Sequence, residues 1–157
     1  MGFALPAAIG AKFGCPDREI WVVAGDGGFQ MTAAELATIV QEGIKVNIAI
    51  INNGYLGMVR QWQEFFYDRN YEATPLVSPD FVKLADAHGI PGLTVRKRSE
   101  VESAVNEARK SKGAFLLNFM VEKEESVYPM IPVGAALHEM IRRPGAKDPL
   151  LETPDDK

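Results

Sequence analysis

Ile20-Trp21-Val22-Val23-Ala24-Gly25-Asp26-Gly27-Gly28 and Val46-Asn47-Ile48-Ala49-Ile50-Ile51-Asn52-Asn53-Gly54 are the two stretches whose reading decides the fold. Each is a short, apolar, β-branched run closed by turn residues, which reads as a buried strand. Continuous apolar strands predict a parallel sheet covered on both faces. Between Ala24 and Val46 lie 21 residues, ample for a right-handed helical crossover. That interval has helical content of its own. Thr32 with Glu35 has the form of a capping box, Leu36, Ile39 and Val40 follow at helical spacing, and Gly43 marks the stop.

The same alternation extends in both directions. Leu5, Ile9 and Phe13, four apart within the Ala- and Gly-rich stretch 2–14, predict a closely packed helix. Downstream, 56–67 reads as a helix and 70–77 as a surface loop. Ser78-Pro79-Asp80 opens a further helix, with Ser78 as its cap and Pro79 in its first turn. Phe81, Leu84, Ala85 and His88 continue that helix, and Gly89 stops it. Leu93-Thr94-Val95 reads as a strand, Ser99 with Glu102 as the start of a capped helix ending near Gly113, and 115–121 as a last strand. The expected architecture is α/β, a doubly wound parallel sheet with helices on both faces. Residues 1–143 are read as one domain, and 144–157, with Pro144, Pro149, Pro154, Asp155 and Asp156, as a disordered tail.

Composition narrows the function. Seventeen Lys and Arg against 21 Asp and Glu leave a net charge of −4, without the basic clusters that nucleic acid or an anionic membrane attracts. Cys15 is the single cysteine, so neither an intrachain disulfide nor a multi-cysteine zinc site is expected. No apolar run has the length of a membrane span, and the amino terminus lacks a signal peptide's pattern. These features predict a cytoplasmic domain. The abrupt start at Met1 predicts a fragment of something longer.

Ligands of open α/β sheets bind beyond the carboxyl ends of the strands, where both turn sequences fall. Gly25-Asp26-Gly27-Gly28 has the glycines of a phosphate cradle, but position 30 is Gln, so it lacks the dinucleotide fingerprint. A carboxylate in such a turn repels phosphate unless a divalent cation lies between them. Asn53, at the end of the other run, brings a neutral oxygen donor. Strands about 5 Å apart would let both side chains reach one ion, and such an oxygen-rich shell suits magnesium. Either turn alone is a common structural turn; their pairing across 24 intervening residues (28–51) is specific.

That spacing, Gly-Asp-Gly then 24 residues then Asn-Asn, resembles the thiamine-diphosphate motif of thiamine-dependent enzymes. The stretches 1–10, Leu56-Gly57-Met58-Val59-Arg60-Gln61-Trp62-Gln63 and Val127-Tyr128-Pro129-Met130-Ile131-Pro132 are similar to the catalytic subunits of the acetolactate synthase (acetohydroxyacid synthase) family. The resemblance covers about 1–143, the diphosphate-binding domain. It implies that thiamine diphosphate serves as electron sink for decarboxylation of pyruvate. Carboligation to a second 2-oxo acid follows, in branched-chain amino-acid biosynthesis. Asp26 and Asn53 would ligate Mg2+ through side chains and Tyr55 through its carbonyl. Gly25, Gly27 and Gly28 would admit the diphosphate to backbone amides; many relatives carry Ser at the position of Gly28. Met1 would support the bent cofactor, Leu56, Gly57 and Met58 would continue the cofactor wall, and Met58, Val59 and Trp62 would line the substrate channel.

The resemblance further implies FAD bound outside this domain, a homo-oligomer, a possible regulatory subunit and a separate pyrimidine-binding domain carrying the glutamate that activates the cofactor. No catalytic acid or base is therefore assigned within this chain, and the domain alone is expected to be inactive. Two alternatives stay open: another thiamine-dependent decarboxylase or oxidase, and a non-catalytic binding module. Among the remaining residues, His88 reads as a helix-end cap, His138 as solvated and Arg96-Lys97-Arg98 as a solvated strand end. Phe65, Phe66 and Tyr67 read as core or as an aromatic lid, and Cys15 has no assigned role.

Overall fold

A computed structural model describes residues 1–145; the tail read as disordered lies, from residue 146 onward, outside the described residues. Both deciding stretches are strands, β1 (Trp21–Gly25) and β2 (Asn47–Asn52). They are joined in one parallel sheet by β3 (Gly92–Val95) and β4 (Phe115–Met120), in the order β1-β2-β4-β3. The register sets Val22 beside Ile48 and Ile48 beside Leu116, a row of side chains fully removed from water. Because side chains alternate across a strand, the neighbouring row, with Phe115 and Leu117, faces the other way. Two cores result.

The first core packs Val22, Ile48, Ile50 and Leu116 against helices α1 (Ala4–Gly14), α2 (Asp26–Gln30), α3 (Leu36–Gln41) and, after α4 (Gly57–Phe66), α5 (Phe81–Ala87). The second packs Phe115, Leu117 and Val95 against Ala104 and Ala108 of α6 (Val101–Lys110). Helices thus lie on both faces of an all-parallel sheet, as the apolar strands predicted. Over β1 and β2 the second face is more open, and Val23 there is 65% exposed.

The chain forms two compact units that meet in sequence after Glu124, inside the range 1–143. The sheet and its helices form the unit Met1–Glu124. The unit from Glu125 is built on an antiparallel bridge between Met130 and Ile141, with backbone hydrogen bonds of 2.9 and 2.7 Å. Within it, Arg143 pairs with Glu125 at 2.8 Å, which holds the Glu125 carboxyl below its ordinary range.

Three caps differ from the sequence reading. Thr32 precedes a 3-10 turn (Ala33–Glu35) and makes no cap; its hydroxyl donates to the Gly2 carbonyl, 3.1 Å away. Asp80, not Ser78, caps α5, accepting from the backbone N–H groups of Val82 and Lys83. The Lys83 N–H is the chief reason the Asp80 carboxyl lies below its usual range. Glu100, not Ser99 with Glu102, organises the start of α6 by accepting from Arg96 and Lys97 backbone N–H. In each case a tertiary or neighbouring partner outcompeted the local side-chain bond that the spacing suggested. His88 does occupy the C-cap of α5, followed by Gly89 at φ +74°.

Candidate functional site

Parallel pairing of β1 and β2 aligns Gly25 with Ile51, so Asp26 and Asn53 leave adjacent strand ends together. A cleft of about 520 Å³ opens there. Asp26 is the first residue of α2, following Gly25 in an extended conformation. It is 1% exposed, more enclosed than a residue on a surface crevice. Among the described residues it forms no ion pair. An ionised carboxylate in that position is expensive unless a cation compensates it. Its Oδ2 accepts a hydrogen bond from Ser78 Oγ at 3.1 Å.

Asn52, the last residue of β2, and Asn53, the first beyond it, divide their work because successive side chains turn opposite ways. Asn52 is buried, donates through Nδ2 to Asn118 Oδ1 at 3.2 Å and accepts from Gly54 N–H. Asn53 lines the cleft, and its Oδ1 accepts from Tyr55 N–H at 3.0 Å. A carbonyl oxygen has two lone pairs, so that turn leaves Asn53 Oδ1 a position for a metal.

Gly27 provides the close approach. A Cβ there would lie 2.8 Å from both Leu56 Cδ2 and Leu76 Cδ1, below any ordinary contact. At Gly28 a Cβ would meet nothing nearer than Gly2 N at 4.0 Å. Met1, Gly25, Gly27, Gly28, Leu56 and Gly57 line the same cleft, as do Tyr55, Met58 and Val59. The structure therefore gathers all but one of the residues singled out in the sequence. The exception is Trp62. It lies outside the cleft wall on α4, 37% exposed, with its ring edge-to-face against Phe66 at 5.4 Å. Phe66 and Tyr67 are exposed, which excludes the core reading for both.

The donor set fits a metal held jointly with a diphosphate better than one held by protein alone. Among the described residues no group of three His, Cys, Asp or Glu side chains could hold a metal. One buried carboxylate, one amide oxygen and the Tyr55 carbonyl leave the remaining positions of a magnesium shell to other oxygens.

Two supports escaped the sequence reading. The segment 70–77, read as a surface loop, braces the site: Leu56 N–H donates to Thr74 O at 2.9 Å, and Leu76 N–H to Gly54 O at 2.8 Å. Arg60 is buried, its guanidinium 5.4 Å from the Tyr55 ring centroid, 4.5 Å from that of Tyr71 and ion-paired with Glu64 at 2.9 Å. It thereby packs Tyr55 behind the cleft. Its signal in the sequence was a charged residue one turn after Leu56 in an otherwise amphipathic helix, which alone does not distinguish an inner from an outer face.

The chain is similar to several characterised proteins. Residues 1–119 match the family described as thiamine pyrophosphate enzyme, C-terminal TPP binding domain. The chain is 47% identical over 146 residues to an acetolactate synthase of Mycobacterium bovis, covering 89% of this chain and 24% of that protein. It is 44% identical over 141 residues to the mitochondrial acetolactate synthase catalytic subunit of Saccharomyces cerevisiae, covering 90% and 20%. A thiamine diphosphate-dependent 4-hydroxybenzoylformate decarboxylase of Rhodococcus jostii superposes with a TM-score of 0.74 at 30% identity, over 80% of this chain and 24% of that one. The chain thus spans between a fifth and a quarter of the length of these relatives. Among the described residues no helix is long and apolar enough to cross a membrane.

Proposed function

The chain belongs to the thiamine pyrophosphate enzymes, as their C-terminal cofactor-binding domain, and from that premise we propose that it supplies the diphosphate- and magnesium-holding part of an acetolactate synthase active site. The observation that carries the reading is the buried, unpaired Asp26 carboxylate beside Asn53 in a glycine-lined cleft. In this reading residues 1–143 form the working domain. Asp26, Asn53 and the Tyr55 carbonyl hold Mg2+, while Gly25, Gly27 and Gly28 let backbone N–H groups approach the diphosphate. When bound, thiamine diphosphate supplies the electron sink for decarboxylation of a 2-oxo acid.

The chain's own contribution is positioning. Met1, Leu56 and Met58 give the cleft apolar walls, Met58 and Val59 would line the path of the second 2-oxo acid, and Trp62, one turn after Met58 and outside the cleft wall, would act at its outer end. The activating acid–base chemistry comes from a pyrimidine-binding domain outside this sequence. The working enzyme is a homo-oligomer with FAD held outside this domain and is open to a regulatory subunit. The reading places it in the cytoplasm. One relative above is mitochondrial by name, so cell fractionation is the check.

Calorimetric titration of the chain with thiamine diphosphate, with and without Mg2+, tests the site: binding that requires the metal is expected. The chain alone is expected to form no acetolactate from pyruvate, because a cofactor held at one end lacks the positioning that makes the reaction fast. Fusion to or co-expression with the pyrimidine-binding part is expected to bring turnover. The decarboxylase superposition favours a second reading, a lyase for another 2-oxo acid. Release of an aldehyde without carboligation by the complemented enzyme would establish it.

A further inference from the structure

We propose that Ser78 is the positioning residue of the metal site, holding the Asp26 carboxylate so that one oxygen is fixed to protein and the other is presented to the cleft. The inference rests on the reading of Asp26 as a ligand and adds a part to it. Ser78 Oγ donates to Asp26 Oδ2 at 3.1 Å, and Gln30 Nε2 donates to Ser78 Oγ at 3.1 Å. A carboxylate only accepts and an amide nitrogen only donates, so the hydroxyl proton has a single direction, toward Asp26. Asp26 and Gln30 are one turn apart on α2, and the hydroxyl sits between them. The terminal torsion of an aspartate is broad; one directed donor on Oδ2 removes that freedom. Asp26 lines the cleft, and Oδ1 has no hydrogen-bond partner among the described residues.

Ser78 is also where the brace closes. The segment 74–76 is hydrogen-bonded to Gly54 and Leu56, beside Asn53. Two residues on, Ser78 reaches Asp26, the first residue of α2 beyond the end of β1. One strap therefore sets the distance between the two side-chain ligands from behind. Asp80, which caps α5, anchors its far end, so the α5 cap does not depend on the Ser78 hydroxyl.

The test is an NMR titration of the 15N-labelled chain with Mg2+ and thiamine diphosphate, which reads dissociation constants into the millimolar range, alongside thermal unfolding. Ser78→Ala is expected to weaken binding about tenfold, as loss of a ligand's supporting hydrogen bond typically does, with little change in melting temperature. Ser78→Thr, which keeps the hydroxyl, is expected to bind within about twofold of the parent, on the scale of that supporting bond. Asp26→Ala is expected to abolish metal-dependent binding. Parental affinity in a folded Ser78→Ala, or a folded Ser78→Thr as weak as Ser78→Ala, overturns the role of Ser78 while Asp26→Ala still upholds the site. Parental affinity in Asp26→Ala, or no binding by the parent, overturns the reading of the site and the role of Ser78 with it. If Ser78→Ala does not fold, Gln30→Ala decides: weakened binding with the fold retained supports the relay, and unchanged binding rejects it.

Discussion

Replacing Asp26 by Asn separates what the carboxylate does for the ligand from what it does to the fold. The substitution keeps shape and keeps an oxygen for Ser78, but removes a charge that is almost fully enclosed and unpaired. Two effects oppose each other in the ligand-free chain. The Ser78 bond changes from charge-assisted to neutral, a loss of about 1 kcal/mol. Relief of carboxylate desolvation is worth more, since burial of an uncompensated ion costs several kcal/mol. The net expectation is a ligand-free protein more stable by about 1–2 kcal/mol. The ligand response goes the opposite way. At a free concentration of the metal–cofactor complex about 100 times Kd, the parent gains about 2.7 kcal/mol. For a chain of this length that is a rise of about 5–11 °C in Tm. Asp26→Asn is expected to show almost none of that rise. Differential scanning calorimetry with and without Mg2+ and thiamine diphosphate reads both effects in one experiment. An undiminished ligand-induced rise, or a marked fall in ligand-free Tm, would refute the assignment of Asp26 as a metal ligand whose charge is uncompensated.

Gly27→Ala is expected to displace Leu76 and the cleft residue Leu56 and lower cofactor affinity severalfold, whereas Gly28→Ser meets open space and is expected to retain or improve it; parallel calorimetric titrations compare the two. In a complemented enzyme, Trp62→Leu is expected to change the preference between 2-oxo acids by about 1–3 kcal/mol with little loss of stability, because the ring is partly exposed; competition between two 2-oxo acids measures it. The Asp80 carboxyl is held low by the Lys83 N–H, so its contribution to stability is present above its unfolded-state pKa. That contribution is lost as pH falls through the folded value. Asp80→Asn keeps a capping oxygen and is expected to flatten that acid-side decline in a pH series of thermal melts.

The sheet was legible because continuous apolar runs leave few alternatives to a strand buried on both faces. The proposed diphosphate site was suggested by the sequence because a carboxylate among turn glycines would repel a phosphate unless a cation lay between them. Sequence spacing brought Asp26 and Asn53 to strand ends, but only the β1–β2 pairing, Gly25 beside Ile51, makes those ends adjacent. The sequence singles out Asn53 as the donor at the end of the second apolar run but assigns no work to Asn52. Alternation of successive side chains separates them, turning Asn52 inward to Asn118 and leaving Asn53 at the cleft.

Ser78 shows the limit most clearly. Its neighbours Pro79 and Asp80 form a good local helix start, so local rules make it a cap. Its actual partner is 52 residues away in sequence, and no local pattern encodes a contact that exists only after β1, β2 and the strap have packed. By itself the sequence determined which segments are strands and helices, and which residue types could meet a metal and a diphosphate. Those properties follow from side-chain periodicity and donor chemistry within a few residues. Tertiary structure alone decided which of those groups face each other and what holds them there, because that depends on strand order, register and hydrogen bonds between segments distant in the chain.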